Sequence, residues 1–172
     1  MLRMASTFHD RRLQFVFLIN NYDLIVTVFA ESGREQEYFH KILNDHINDY
    51  LEEELLSYFG NLIVLIKDSE MLKDSSSISF DRFQKVAQEF NLNFKRALTN
   101  MNTFIMSSFP NFKNGTFILH SILKQLFVYY QKYWLLLEQM YGKQLQSKFG
   151  GKDEPMSIQT VVTELKKYKT NF

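Results

Sequence analysis

The chain has four histidines, nineteen Asp and Glu residues and no cysteine, so any chemistry must come from imidazoles and carboxylates. Glu37 and His40 stand at the Glu-x-x-His spacing of di-iron helical bundles, one helical turn apart. Such centres need a second Glu-x-x-His and two further glutamates. His9, His46 and His120 have no glutamate three residues before them, so that requirement fails and Glu37–His40 reads as a surface pair. His46, Asp49 and Glu53 share one helical face and have donor types suited to a divalent cation. A histidine among acids on a solvated face is the commoner arrangement. His120 opens a long apolar helix and reads as a hydrogen-bonded core or boundary imidazole. There is no Gly-rich phosphate loop, nucleophile elbow or pair of catalytic carboxylates. Lys166, Lys167 and Lys169 form a small basic end, which complements a C-terminal helix dipole. An acidic partner or an anionic membrane is the lesser alternative for it. No catalytic residue, metal or cofactor is expected.

The spacing of apolar residues says more. Leu119, Ile122, Leu126, Tyr129, Tyr133, Leu136 and Met140 recur in steps of three and four, and therefore share one face of a helix. Leu123, Phe127, Tyr130, Trp134 and Leu137 make a second stripe beside it. A surface helix needs one stripe, so a doubly striped helix is expected at the centre of a bundle. Its entry is a loop from Phe109 to Thr116, where Pro110 ends the preceding helix and Gly115 permits the turn.

The remaining elements are arranged around that helix. A first helix is expected from Ser6 or Thr7, either of which can act as a cap, to about Glu31. Asn20, Asn21 and Asp23 interrupt its apolar face; contact with another helix or a partner explains them, and so does exposure. A second helix begins near Arg34–Glu35, with Asp45, Asp49, Glu52, Glu53 and Glu54 on its solvent face and a kink or short break at Tyr58–Asn61. Leu62 to about Leu72 continues as a third helical piece, preferred over a strand because no partner strand is visible. Residues 73–78 and 142–156 are expected to be flexible loops. Between them a Phe-rich helix from Ser79 to about Ser107 is the natural mate of the central one, and Ser157 caps a short last helix. The expected fold is all-α: an elongated antiparallel bundle of about five or six helices.

Hydrophobic residues make up 45% of the chain and charged residues 23%, enough for a sizeable core in one domain of 172 residues. A net charge of +1 without a basic face argues against nucleic acid. The absence of cysteine fits a reducing, cytoplasmic setting. Phe15–Phe29 is apolar but short, and Asn20, Asn21 and Asp23 argue against a membrane span. The first residues lack the layout of a secretory leader. Asn114-Gly115-Thr116 therefore reads as a chance match to the glycosylation pattern.

Three segments together resemble the C-terminal region of the vacuolar protein sorting-associated protein 52 family. They are Phe17-Leu18-Ile19-Asn20-Asn21-Tyr22-Asp23; Ser108 to Thr116 leading into Leu123-Lys124-Gln125-Leu126 and Tyr129-Tyr130; and Glu164 to Phe172. Glu53-Glu54-Leu55-Leu56 followed by Phe59-Gly60 adds a fourth run, and order and spacing match along nearly the whole chain. The Gly142–Pro155 region looks locally divergent. The resemblance implies a non-enzymatic, cofactor-free subunit of the Golgi-associated retrograde protein complex and of the related endosomal recycling complex. These are vesicle-tethering assemblies for endosome-to-Golgi retrograde transport. It implies a helical-rod fold and sibling subunits, SNAREs and Rab-family GTPases as partners. It also implies a cytoplasmic location, peripheral on trans-Golgi network and endosomal membranes through those partners. Family members are several times longer and carry an N-terminal coiled-coil part, so residues 1–172 are expected to be one helical domain at the C-terminal end of a longer subunit. Candidate contact or family-motif positions are Asn20, Asn21, Tyr22, Asp23, Phe109, Asn111, Phe112, Asn114, Gly115, Lys166, Lys167 and Phe172. A generic structural bundle that only self-associates is the alternative; a metal-dependent bundle enzyme is a weaker one. Which partner meets which face stays open.

Overall fold

The computed structural model describes residues 1–29, 33–71, 78–150 and 153–168. Among them there are seven α-helices and no strand: α1 (Leu2–Ala5), α2 (Arg11–Val28), α3 (Gly33–Met71), α4 (Phe80–Ser108), α5 (Phe112–Tyr141), α6 (Leu145–Phe149) and α7 (Ile158–Lys167). The two that apolar spacing did not point to, α1 and α6, are single turns too short for it to reveal. Straight α-helices of the lengths of α3 and α5 would span roughly 58 and 45 Å at 1.5 Å per residue, so the bundle is made of long parts.

Contacts fix the directions. Along α2 and α3, Arg12 meets Glu54, Tyr22 meets His46 and Phe29 meets Phe39. Along α3 and α4, Phe59 meets Phe90 and Asp68 meets Arg82. Along α4 and α5, Met106 meets Gly115, Phe90 meets Tyr130 and Phe83 meets Tyr133. In each pair early residues meet late ones, so sequential helices run antiparallel. Tyr50 against Phe109 and Glu70 against Lys132 make α3 and α5 parallel neighbours.

The doubly striped helix is central as expected. Ile118, Leu119, Ile122, Leu123, Leu126, Tyr130, Tyr133 and Leu137 are at most 1% exposed. Tyr130 stacks on Phe90 at 4.2 Å, and Phe90 on Phe94 at 4.7 Å. Offset aromatic pairs of this kind contribute about 0.5–1.5 kcal/mol beyond their burial. The hydroxyls are also accommodated: Tyr133 donates to the Phe83 carbonyl at 2.9 Å and Tyr130 to the Met156 carbonyl at 2.5 Å.

Boundaries differ from expectation for local reasons. The first long helix starts at Arg11, because Asp10 accepts the Arg12 N–H and is a better cap than Ser6 or Thr7, whose hydroxyls donate to the Arg3 and Met4 carbonyls. The kink or short break expected at Tyr58–Asn61 is present: Phe59 (φ −131°, ψ 29°) leaves helical geometry and divides α3 into two helical pieces. Its ring is buried and tilted against Phe90. Glu54 does not lie on the solvent face. It is 0% exposed, because it continues the buried row Leu43, Ile47, Tyr50 in steps of three and four.

Gly115 does not make a turn. It lies inside the first turns of α5, and a Cβ there would meet the Phe109 Cβ at an ordinary 3.6 Å, so neither a turn nor crowding requires glycine at this position. The turn is made by Phe109–Asn111 alone, with Phe109 extended before Pro110 (φ −111°, ψ 100°). Gly142, at φ 44°, ends α5 in a conformation that needs glycine. The span 142–156 is not bare loop: a 3-10 turn (Gly142–Gln144) and α6 occupy its first half, and Phe149 packs on Phe80 at 4.8 Å. Of the first expected loop, residues 73–77 lie outside the described residues; Ile78 is buried.

Candidate protein-contact site

The two asparagines and the aspartate that interrupt α2 face different things. Asn20 donates through Nδ2 to the Ser108 carbonyl at 2.9 Å, at the last residue of α4. Asp23 accepts from Asn111 Nδ2 at 2.9 Å, while the Asn111 Oδ1 caps α5 by accepting the Lys113 N–H at 3.1 Å. Asn21 donates to the Phe17 carbonyl of its own helix. Two segments far apart in sequence, 20–23 and 109–115, thus form one corner where α2 is fastened to the α4–α5 turn.

Tyr22 faces α3 instead, stacked on His46 with centroids 5.3 Å apart. Phe109 is buried at the corner with its ring edge-on to Tyr50 at 5.5 Å. Asn114 is half-buried and Gly115 fully so. Phe112 is 56% exposed, on the outside of the corner. Lys166 and Lys167 are exposed in the last turn of α7, distant in the chain from the corner; Lys167 pairs with Glu164 at 2.8 Å. That pairing holds the Glu164 carboxyl below its ordinary range. Phe172 and Lys169 lie outside the described residues.

Beneath the corner is a polar row that spacing did not single out. Glu54, on α3, is fully buried, and its nearest cation is Arg12 of α2 at 3.5 Å. The Arg12 guanidinium also lies 4.8 Å over the Phe104 ring of α4. Burial raises the Glu54 carboxyl above its ordinary range, and Arg12 opposes that rise. The buried Tyr50 hydroxyl is one turn away and is raised too, chiefly by burial and then by Glu54. The signal was present: a glutamate in the register of Leu43, Ile47 and Tyr50. A second unpredicted brace holds the chain before α7. Asn91 accepts the Met156 N–H and donates to the Glu154 carbonyl, while Trp134 Nε1 donates to the Met156 carbonyl at 3.1 Å.

None of this assembles reactive groups. Glu37 and His40 are exposed on α3, and among the described residues no three His, Cys, Asp or Glu side chains come together as a metal site. His46 is stacked with Tyr22, and Glu53 is engaged by Arg11 at 3.4 Å. Among the described residues no helix is long and apolar enough to cross a membrane. What the corner can do is hold α2, α3, α4 and α5 in fixed register, with Phe112 presented outward.

The family model described as "Vps52, C-terminal" matches residues 1–55. The human vacuolar protein sorting-associated protein 52 homolog is 32% identical across 99% of this chain and 24% of its own length. Vacuolar protein sorting-associated protein 52 A of Arabidopsis thaliana is 30% identical across 99% of this chain and 25% of its own length. The Caenorhabditis elegans homolog is 26% identical over the same shares. The chain spans about a quarter of the length of these curated relatives. No solved structure matches it.

Proposed function

The chain belongs to the vacuolar protein sorting-associated protein 52 family, matching its C-terminal region, and on that premise we propose that it is a non-enzymatic subunit of a multisubunit vesicle tether. The tether acts in retrograde transport from endosomes to the trans-Golgi network, as part of the Golgi-associated retrograde protein complex or its endosomal relative. The observation that carries this is similarity along 99% of the chain, at 32% identity, to about a quarter of a vacuolar protein sorting-associated protein 52 homolog. The site geometry fits the same role. Its polar side chains fasten helices to one another, which is what a stiff element in a bridge between membranes needs. Asn20, Asn21, Tyr22, Asp23, Phe109, Asn111, Asn114 and Gly115 act by shaping the corner, and Phe112, Lys166 and Lys167 are the residues offered to other chains.

The partners are sibling tether subunits, with SNAREs and a Rab-family GTPase as further candidates. Membrane association is peripheral and comes through them. Affinity capture from the native cell tests this: sibling tether subunits should co-purify in near-equal amounts. Recovery of nothing but further copies of the chain would favour a self-associating bundle and refute the assignment.

A further inference from the structure

The second apolar stripe of α5 has a cover of its own. Leu123, Phe127, Tyr130 and Trp134 face residues 153–168, a short extended lead-in followed by α7. The lead-in is held by its backbone. Asn91 of α4 accepts the Met156 N–H at 3.1 Å and donates to the Glu154 carbonyl at 2.8 Å. The Met156 carbonyl accepts from both Tyr130 and Trp134 of α5. Gln84 donates to Asp153, Lys95 pairs with Glu164, and Thr99 meets the Tyr168 hydroxyl. Gln84, Asn91, Lys95 and Thr99 follow in steps of seven, four and four, so one row of α4 holds the whole segment.

This attachment is thin. Of residues 153–168 only Pro155, Val161 and Leu165 are buried, whereas α4 buries nine residues and α5 ten. A groove of about 170 Å³ runs between α7 and α5, with Leu123 and Phe127 on one side and Val162 and Leu165 on the other, so apolar surface there is left unfilled. The Lys95–Glu164 and Thr99–Tyr168 contacts lie at the surface, where such contacts contribute little. A helix as short as α7 is barely stable alone in water, so it exists only while seated. Ordering the whole segment against so little buried surface leaves a narrow margin. The contacts that join α2 to α3, α3 to α4 and α3 to α5 use no residue of this segment: Arg12 with Glu54, Phe59 with Phe90, Tyr50 with Phe109.

We propose that residues 153–168 form a strap that lifts from α4 and α5 as one unit while α2–α5 stay folded, and so controls access to the second stripe of α5. Met156 is pinned at both its N–H and its carbonyl, so those bonds break together, and α7 unravels as it leaves. Asn91, Tyr130 and Trp134 stay on long helices, in place to take the segment back. The strap is independent of the assembly the chain serves.

Native-state hydrogen exchange of the full chain, read by mass spectrometry at rising urea below the unfolding transition, tests this. After correction for intrinsic rates, the amides of residues 161–168 should exchange as a group at least about a hundredfold faster than those of residues 122–137, and with little urea dependence, because local opening exposes little new surface. Asn111→Ala loosens the distant corner in the strapped and open forms alike. It should speed exchange about tenfold in residues 122–137 and leave residues 161–168 unchanged. A second measurement seats the strap from outside. A labelled synthetic peptide of residues 153–168 should bind the full Val161→Asp chain at least about tenfold more tightly than the wild-type chain, whose seat is filled. The same peptide carrying Val161→Asp should not bind. One exchange rate and one urea slope for both regions would overturn the proposal. So would an equal response of both to Asn111→Ala, or a Val161→Asp chain that unfolds throughout or takes up no peptide.

Discussion

Replacing Arg12 by methionine should destabilise the chain far more than replacing Glu54, its partner, by leucine. The asymmetry follows from burial. Glu54 is 0% exposed, whereas the Arg12 side chain is 28% exposed and sits at the rim. Arg12→Met leaves a buried carboxylate without its cation, which typically costs about 3–5 kcal/mol. Water can reach the Arg12 side of the pair, so the low end, about 3 kcal/mol, is expected. For a chain of this size that lowers the melting temperature by roughly 6–12 °C. Glu54→Leu removes the buried charge and leaves Arg12 with solvent and with Asp10 at 3.5 Å, so it should be near neutral or stabilising.

The pH dependence fixes the sign. The Glu54 carboxyl is raised by burial, so only between its ordinary value and its raised folded value does the folded state hold a proton there that the unfolded state releases. Its contribution to stability is complete below the ordinary carboxylate value and is lost as pH rises through the raised folded value. Without Arg12 the carboxyl rises further, so the cost of Arg12→Met should be smaller near pH 5 than near pH 7. Circular dichroism melts of wild type, Arg12→Met and Glu54→Leu at both pH values would show this. An Arg12→Met melt within about 2 °C of wild type near pH 7 would refute the argument. So would a cost that is equal or larger near pH 5, or Glu54→Leu as damaging as Arg12→Met.

Asn111→Ala should cost about 1–2 kcal/mol in urea unfolding, because it removes the α5 cap and the tie to Asp23 together. In a double-mutant cycle Asp23→Ala and Asn111→Ala should be non-additive, and strict additivity would mean that the corner tie contributes nothing. Gly115→Ala should be neutral or stabilising by up to about 1 kcal/mol, since the new Cβ meets Phe109 at an ordinary 3.6 Å and alanine is the better helix former. Gly115→Ile should destabilise by about 1–3 kcal/mol by forcing α5 off the Phe109 turn. Trp134→Asp should lower stability by about 3 kcal/mol through lost packing and the lost bond to Met156, and an unchanged melt would mean that this face carries no load.

The helical class and the central position of α5 were legible because both depend on apolar spacing alone. Tyr133 and Leu126 sit at a core register whatever surrounds them. Ser157 as the α7 cap was legible for a local reason: its Oγ accepts the Thr160 N–H three residues on. Gly115 was misread because a glycine near a proline signals a turn, whereas the turn is completed by Asn111 and Gly115 already lies within α5. Glu54 was misread because its charge outweighed its register, although Leu43, Ile47 and Tyr50 point the same way. The ties from Asn20 to Ser108 and from Asp23 to Asn111 each join positions 88 residues apart, and no local pattern encodes such a pairing. The resemblance placed both segments among the family's motifs but not side by side. The brace on Met156 was hidden for a related reason: its acceptor is a backbone carbonyl, which every residue has.

Quantitative affinity capture of this chain from its native cell bears most directly on what the protein is. If it is a subunit of a retrograde vesicle tether, the sibling tether subunits will co-purify in near-equal amounts with it. Recovery of the chain alone, or only with further copies of itself, would contradict that assignment.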